Sequence, residues 1–491
     1  MSINLHSKRR IALVHPKGSN WLENSKDIIT TINKMIPHGL LSIASWLLKE
    51  GMEVYIFDCL GPYASDNFEK NIHEILKIQP DIVGFSTTTS SFLDASRMAS
   101  FIKNINPEII TVCGGVHCSS IGEKLMKDYL MFDYMVKGEG EITMAEIAKG
   151  ISPENIAGLI WRNGNEIIEN KPREMIKDLD ILPFPAYEKL KGFPKLYNLP
   201  LFSYSKFPCA SMITSRGCLY QCSYCDRSVY KKGFRYNSAE YVYEHFKYLN
   251  KNFGVKHINI YDDLFTTDEI RIEKFCKMLI EKPLKMNFNC AVRVGYAPDS
   301  LLKMLKSAGC LMVSLGIETS DPELLKKHKA GVTIDSIKDT IKRIQKVGLR
   351  AKGLFMMGLP GETEDSIKRT SDFIMSLNLD DMNMSKFTPF PGAPIWKNIK
   401  NEGSFEEDWE KMNCLNFVFV PKTIESKEKL EQLYKEHVVR FYTSKQWMSK
   451  FIKRIWQHRH SIWNIIKNLP VFIYAKKQFD PKISNLRGKK I

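Results

Sequence analysis

The chain has 491 residues, 44% of them apolar and 26% charged, and 71 Lys plus Arg outweigh 55 Asp plus Glu for a formal charge of +16. That composition excludes a disordered or collagen-like chain, and the length exceeds what one hydrophobic core serves, so two or three domains are expected. The charge is concentrated: from Arg440 to Ile491 there are 13 Lys or Arg and a single acid, Asp480, which leaves the preceding residues close to neutral.

No stretch reaches the roughly 18 consecutive apolar residues of a membrane-crossing helix. The apolar run after the basic N-terminus is too short for a secretory signal. A cytoplasmic protein is expected, with its 11 cysteines present as reduced thiols or metal ligands.

Strand and helix alternate over residues 10–150. IALVHP reads as a strand, GLLSIASWLLKEG as a helix stopped by Gly51, and MEVYIFD and PDIVGFSTTT as further strands. A helix around Ser91 to Ile105 leads to EIITVCGG, and FDYMVKGEGE follows another helix. Such repeats predict a doubly wound, mostly parallel sheet, which binds ligands at the carboxyl ends of its strands. Those ends are His15-Pro16-Lys17, Ser86-Thr87-Thr88, Gly114-Gly115 and Gly138-Glu139-Gly140. GLIWRNGNEIIENK reads as a hairpin around Asn163-Gly164, and DLDILPFPAYEKL, with Pro183 and Pro185, as an interdomain connector. Strands are then expected at SMITSRG, KHINIYDD, MNFNCAVRV, LMVSLGIET, AKGLFMMG and MNMSKFTPF, with helices such as SIKDTIKRIQKVG between them. Six units fall short of an eight-fold barrel and predict an open, partial (βα)6 barrel. The chain thus divides into an α/β domain (1–150), a hairpin and Pro-rich connector (151–204), a partial barrel (205–420) and a helical, basic and aromatic C-terminal region (421–491).

SRGCLYQCSYCDRS places Cys218, Cys222 and Cys225 in a C-x3-C-x2-C arrangement on the loop leaving the first barrel strand. Thiolates suit zinc or an iron–sulfur cluster. Three ligands on one loop can cap three corners of a cubane and leave the fourth iron open. A structural zinc site asks for a fourth Cys or His nearby, and the neighbouring cysteines are Cys209 and Cys276.

The motif, with Tyr224 before its last cysteine, resembles the radical S-adenosylmethionine (radical SAM) superfamily. The resemblance implies a [4Fe–4S] cluster whose unique iron is chelated by the amino and carboxylate groups of SAM, and reductive cleavage of SAM to methionine and a 5′-deoxyadenosyl radical. It also implies SAM contacts: Asp262 and Asp263 in YDDLF for the amino group, Arg293 for the carboxylate, Ser314 and Glu318 for the ribose, and Gly358, Gly361 and Glu362 near adenine. From the residues alone, Asp262 or Asp263 reads equally as a helix cap and Gly361 as a turn glycine.

Residues 1–150 resemble the cobalamin-binding domain that precedes the barrel in one large subfamily, through PDIVGFSTTT, VCGGVHCSS and VKGEGE, with PFPAYE and FTPFPGAPIW further on. The subfamily includes anaerobic methyltransferases, the anaerobic porphyrin cyclase and hopanoid-modifying enzymes. Cobalamin contacts are then expected at Ser86, Thr87, Thr88, Gly114, Gly115 and Glu139, while His117 is open between facing the corrin or nucleotide tail and being a satisfied loop histidine. A D-x-H-x-x-G motif is absent, so any cobalamin binds without that motif's histidine on cobalt.

The reading is a cobalamin-dependent radical SAM enzyme that methylates an unactivated carbon of a small, lipid-like or tetrapyrrole-like molecule. It would work as a monomer with an external electron donor such as flavodoxin or ferredoxin and without nucleic acid. The alternatives are a cyclase or rearrangement enzyme without net methylation, and a non-catalytic, membrane-associated cofactor-binding protein. A tRNA methylthiotransferase is disfavoured because Cys59, Cys113 and Cys118 lack the spacing of a second cluster motif. The tail interleaves its basic residues with Phe441, Tyr442, Trp447, Phe451, Trp456, Trp463, Phe472 and Tyr474. Two arrangements are open for it: aromatics packed on the barrel, or peripheral contact with an anionic inner-membrane face.

Overall fold

The computed structural model describes residues 9–18, 35–197, 199–200, 203–231, 233–329 and 331–457, with side chains of the last helix described to Phe451. Five strands, β1 (Arg10–His15), β2 (Glu53–Asp58), β3 (Ile82–Ser86), β4 (Ile110–Gly114) and β5 (Tyr134–Val136), form a parallel sheet in the order β2-β1-β3-β4-β5. The order reverses at β1, so the carboxyl ends of β1 and β3 flank a switch point where the chain opens a crevice. The interior of β1 is fully buried, because helices cover both faces of the sheet. One face packs Leu13, Val112 and Val136 against Leu40 and Leu47 of the helix His38–Lys49. The other packs Val14, Phe85 and Cys113 against Phe92 and Phe132. The hairpin β6 (Leu159–Asn163) and β7 (Glu166–Glu169) extends this sheet antiparallel beyond β5.

The second sheet holds β8 (Cys209–Met212), β11 (His257–Ile260), β12 (Asn287–Val292), β13 (Cys310–Glu318), β14 (Arg350–Met357) and β15 (Asp381–Lys386), all parallel, in the order β15-β14-β13-β12-β11-β8. It curls into a half-barrel. Along β14 the residues alternate: Ala351, Gly353, Phe355 and Met357 are buried, while Arg350, Lys352, Leu354 and Met356 stay half-buried. Such a period of two puts one set under the helices and the other on the concave side. The helices start on good caps. Thr333 and Thr363 each accept from the backbone N–H three residues on and receive a serine back, and Ile337, Ile341 and Ile344 turn a single stripe to the sheet.

The expected strand SMITSRG is broken. β8 ends at Met212, the chain bends at Ile213-Thr214, and β9 (Ser215–Arg216) pairs antiparallel with β10 (Arg235–Tyr236). The bend is fixed by Asp262, whose carboxylate accepts from Thr214 N, Thr214 Oγ1 and Ser215 N at 2.5, 2.6 and 3.2 Å.

After the barrel, β16 (Gly403–Phe405) and β17 (Phe419–Pro421) form a short ladder, and the helix Lys427–Tyr442 lies against β15. Tyr434 and Tyr442 donate to the carbonyls of Met384 and Met382 at 3.0 and 2.8 Å. Phe441 and Trp447 are buried, and Trp447 stacks on Phe451 at 4.9 Å. The described aromatics of the tail therefore pack on the barrel. Trp463, Phe472 and Tyr474, and the side chain of Trp456, lie outside the described residues. Among the described residues no helix is long and apolar enough to cross a membrane.

Candidate active site

The ladder of β9 with β10 forms the neck of a loop that carries all three motif cysteines. At the neck Gly217 has φ +88°, and a Cβ there would stand 2.4 Å from the carbonyl oxygen of Gly233, so only glycine fits. Cys218 and Cys222 are half-buried and Cys225 is exposed. The middle of the loop is clasped by His328. His328 Nε2 stands 2.9 Å from Pro360 O, which can only accept, so the proton sits on Nε2 and Nδ1 accepts from Ser223 Oγ at 2.7 Å. The backbone repeats the clasp, with Ser223 N donating to His328 O at 3.1 Å and Ile395 N to Ser223 O at 3.0 Å. Beyond Cys225, Asp226 accepts from Ser120 of the N-terminal domain at 2.9 Å.

Although Cys225 is exposed as a residue, the protein around its sulfur raises the thiol, and Asp263 and the other two thiols raise it further. The three sulfurs therefore sit within each other's field. Three thiols on one short loop, with no fourth Cys or His bonded to them among the described residues, can serve three corners of a cubane and leave the fourth open. The donor set fits a cluster held at three corners.

Around this loop stand the residues expected to hold SAM. Glu318 ends β13 at a register shift against β14 and has φ +68°, a left-handed conformation that costs a non-glycine residue about 1–3 kcal/mol. The bulge turns its carboxylate onto Lys329 Nζ at 2.7 Å and toward Tyr224, whose phenol is raised by burial, then by Glu318 and Cys222. The two aspartates separate in role. Asp262 is buried and spends both oxygens on the bend after β8, with Arg271 bound to the same Thr214. Asp263 is exposed and faces Cys218 and Cys225. The Arg293 guanidinium lies 3.3 Å over the ring of Tyr220 from the cluster loop and 5.4 Å from that of Tyr296. Ser314 is half-buried and in register with Lys352. Gly358 and Gly361 follow β14, and Glu362 folds back to accept from Gly358 N and Leu359 N at 2.5 and 3.3 Å. Burial pushes the Glu362 carboxyl up to about 8.

A cavity of about 230 Å³ opens at the carboxyl ends of β3, β4 and β5, between the helix His38–Lys49 and the barrel. Ser86, Gly114, Gly115 and Glu139 line it. Gly115 has φ +101°, and a Cβ there would lie 2.4 Å from Thr87 O. Thr87 turns its hydroxyl inward to donate to Gly114 O at 2.9 Å, and Thr88 is exposed and caps the next turn. His117 also lies off the cavity wall. Its ring is buried between Phe92 at 4.7 Å and Trp409 at 4.5 Å, with Nδ1 3.2 Å from Thr89 Oγ1, because the turn at Gly115 sends the helix Val116–Ile121 to the other face of the sheet. Glu139 touches the cavity, but its carboxylate is taken by Arg216, Arg235 and Ile176 N at 2.6, 2.9 and 2.9 Å.

Arg216 and Glu141, paired at 2.6 Å, are not among the residues to which the sequence points. Nothing local marks them, since the partners are 75 residues apart. His245, on the helix Ala239–Phe253, and Tyr230 complete the cavity from the barrel side.

An α/β domain whose strand ends open into an interdomain cavity, set against a half-barrel with three cysteines on its first loop, defines an enzyme of two adjoining cofactor sites. The Radical SAM superfamily model matches residues 212–374 and the B12 binding domain model residues 26–148. An uncharacterized methyltransferase of Pyrococcus horikoshii is 31% identical over 429 residues, 86% of this chain and 90% of that protein. The anaerobic magnesium-protoporphyrin IX monomethyl ester cyclase of Cereibacter sphaeroides is 25% identical over 89% of this chain and 71% of its own. The solved structure of the cobalamin-dependent S-adenosylmethionine radical enzyme OxsB, with aqua-cobalamin and S-adenosylmethionine bound, superposes with a TM-score of 0.71 at 18% identity, covering 98% of this chain and 74% of that one. The chain belongs to the family of cobalamin-dependent radical SAM methyltransferases. Its cofactors are a [4Fe–4S] cluster, SAM and cobalamin.

Proposed function

We propose that this protein methylates an unactivated carbon of a hydrophobic, lipid-like or tetrapyrrole-like small molecule, working as a single chain with an external one-electron donor. One observation carries the reading. The loop that bears Cys218, Cys222 and Cys225 is also a wall of the cavity, through Ser215, Arg216, Val229 and Tyr230, so cluster and cobalamin sites adjoin. When bound, the cluster supplies the electron that cleaves SAM, and cobalamin supplies the methyl group.

The chain's own residues hold and orient. Cys218, Cys222 and Cys225 ligate the cluster. Asp263 and Arg293 take the amino and carboxylate groups of SAM, and Glu318, paired with Lys329 at 2.7 Å, takes the ribose hydroxyls. Ser314, on the same strand as Glu318, stands beside the ribose, and the backbone at Gly358 and Gly361 meets adenine. Ser86, Gly114 and Gly115 form the cobalamin side of the cavity. Peripheral contact with an anionic surface is assigned to residues 458–491, which carry eight of the tail's Lys and Arg.

Anaerobic turnover with substrate candidates tests the reading. Methylation yields S-adenosylhomocysteine together with 5′-deoxyadenosine, whereas 5′-deoxyadenosine alone would mark a cyclase or rearrangement enzyme. A Cys222→Ala protein that still cleaves SAM at the wild-type rate would refute the cluster assignment.

A further inference from the structure

We infer that Asp226 is a positioning residue that sets the Cys225 corner of the cluster against the cobalamin cavity, acting through Ser120 of the N-terminal domain. The inference rests on the cofactor reading above and names what fixes the two sites relative to one another. Three segments far apart in sequence meet at Asp226. The first is the end of the cluster loop, one residue past Cys225. The second is the helix Val116–Ile121, which starts from Gly115 on the cavity wall. The third is the Pro391-Gly392 turn that follows β15, within the string FTPFPGAPIW.

Both carboxylate oxygens of Asp226 are engaged. Oδ1 accepts from Ser228 N and Ser228 Oγ at 2.8 and 2.6 Å, which closes a turn behind Cys225. Oδ2 lies 2.9 Å from Ser120 Oγ. A carboxylate is a stronger acceptor than a peptide carbonyl, so it takes the Ser120 proton in preference to Val116 O, which is within reach at 2.7 Å. Ser228 Oγ stands 2.8 Å from the same Ser120 hydroxyl. The neighbouring residue ties this helix to the cavity: Ser119 Oγ donates to Gly115 O at 2.8 Å and accepts from Gly138 N at 3.0 Å, and both glycines line the cavity. Beyond Ser228 the chain lines the cavity again, through Val229 and Tyr230. Gly392 leaves the space for this knot, because a Cβ there would overlap Ser228 Oγ and both carboxylate oxygens.

The cluster loop is thus anchored on the N-terminal domain at both ends. Arg216, two residues before Cys218, is held by Glu139 and Glu141, and Asp226, one residue after Cys225, is held by Ser120. Both anchors lead to the same Gly138–Glu141 turn. Groups that must react with one another lose about a hundredfold in rate for a misplacement of about 1 Å, so a loop that carries one cofactor beside the site of another needs its far end fixed as well as its near one.

The test reads a distance rather than turnover. Full-length protein is reconstituted with iron and sulfide, loaded with hydroxocobalamin and reduced by dithionite, so that cluster and cob(II)alamin each carry an unpaired electron. Pulsed electron paramagnetic resonance then measures the coupling between the two spins. Ser120→Ala removes the bond between the domains and leaves the turn from Asp226 to Ser228 whole. Asp226→Asn keeps an oxygen for Ser228 and offers an N–H to Ser120 Oγ. Gly392→Ala drives a methyl group into the knot with every hydrogen-bonding residue intact. The expected result is one narrow distance distribution in wild type and in Asp226→Asn, and its loss in Ser120→Ala and Gly392→Ala, with iron and corrinoid content in Ser120→Ala as in wild type. A wild-type distribution in Ser120→Ala, or a broad one already in wild type, overturns this inference alone. A wild-type protein that binds no corrinoid overturns the cobalamin reading and the inference with it.

Discussion

Arg216 and Glu139 join the two domains at the point where their sites adjoin: Arg216 Nη1 stands 2.6 Å from Glu139 Oε1, with side chains 12% and 3% exposed. The second arm of the same guanidinium reaches Glu141 at 2.6 Å, and Arg235 closes on Glu139 from β10. Both strands of the neck below the cluster loop are thereby tied to the Gly138–Glu141 turn of the N-terminal sheet. Arg216 lies two residues before Cys218, so the fork fixes where the loop begins.

Breaking this pair should destabilise the protein strongly. Arg216→Met leaves Glu141 a buried charge without its partner, a change that costs about 3–5 kcal/mol. Arg216→Lys keeps the charge but loses the fork and should fall between. Burial works against ionised Glu141, but Arg216 and Ser42 prevail and hold its carboxyl below the usual range. The wild-type contribution is therefore full above the ordinary glutamate pKa and is lost only as pH falls through the lower, folded value. Urea titrations from neutral to acid pH check both statements, and wild-type stability in Arg216→Met would dismiss the tie.

The clasp on Ser223 should govern how firmly the cluster is held. His328→Phe fills the same space but loses the side-chain bonds to Ser223 and Pro360, for about 1–3 kcal/mol in total. Ser223→Ala removes the first alone and should have the smaller effect. Iron release to a chelator under anaerobic conditions is the readout. It should quicken in the order wild type, Ser223→Ala, His328→Phe, with circular dichroism unchanged, and equal rates would discount the clasp.

The parts of the site that were legible beforehand are those written in contiguous residues. The cysteine spacing, the glycine pair at 114–115 and the alternation of strands and helices are local signals, and the half-barrel and the N-terminal sheet follow from them. Direction was less legible. Whether a residue at a strand end faces the site depends on a bend or bulge whose cause lies far away: Thr214 bends because Asp262 accepts from it, which uses up one aspartate and leaves Asp263 open. Glu318 turns inward at a register shift against β14. His117 and the glycines beside it are neighbours in sequence, yet the turn at Gly115 puts them on opposite sides of a sheet. The Arg216–Glu139 pair spans 77 residues and has no local mark.

Glu362 gives stability a second pH dependence, of opposite sign to that of Glu141. Burial outweighs the two N–H donors and raises its carboxyl to about 8. A folded pKa above the unfolded one means a contribution fully present below the ordinary glutamate range and lost as pH rises toward the folded value. Glu362→Gln keeps an oxygen to accept from Gly358 N without ionising. Between about pH 5 and about pH 8 the wild type should lose roughly 1–3 kcal/mol more stability than the variant. Parallel curves in urea unfolding would show that Glu362 does not titrate in this window.

The tail divides into a part that holds the barrel and a part that carries charge. Phe441 and Trp447 are buried, and Tyr442 donates to Met382 O at 2.8 Å and to Asp381 at 3.2 Å, beside the Lys352–Asp381 pair on the concave side. Deleting residues 441–491 removes these rings and should cost at least about 3–5 kcal/mol, the usual loss for one buried aromatic. Deleting residues 458–491 spares every one of those contacts. It removes eight Lys or Arg and the single acid Asp480, each basic residue near an anionic surface contributing about 1 kcal/mol. On the proposal of peripheral contact, the shorter deletion should abolish cosedimentation with anionic vesicles while sparing the packing of Phe441, Tyr442 and Trp447. Cosedimentation that survives it would dismiss membrane contact through this segment, and a lowered thermal unfolding midpoint would assign the segment to the barrel instead.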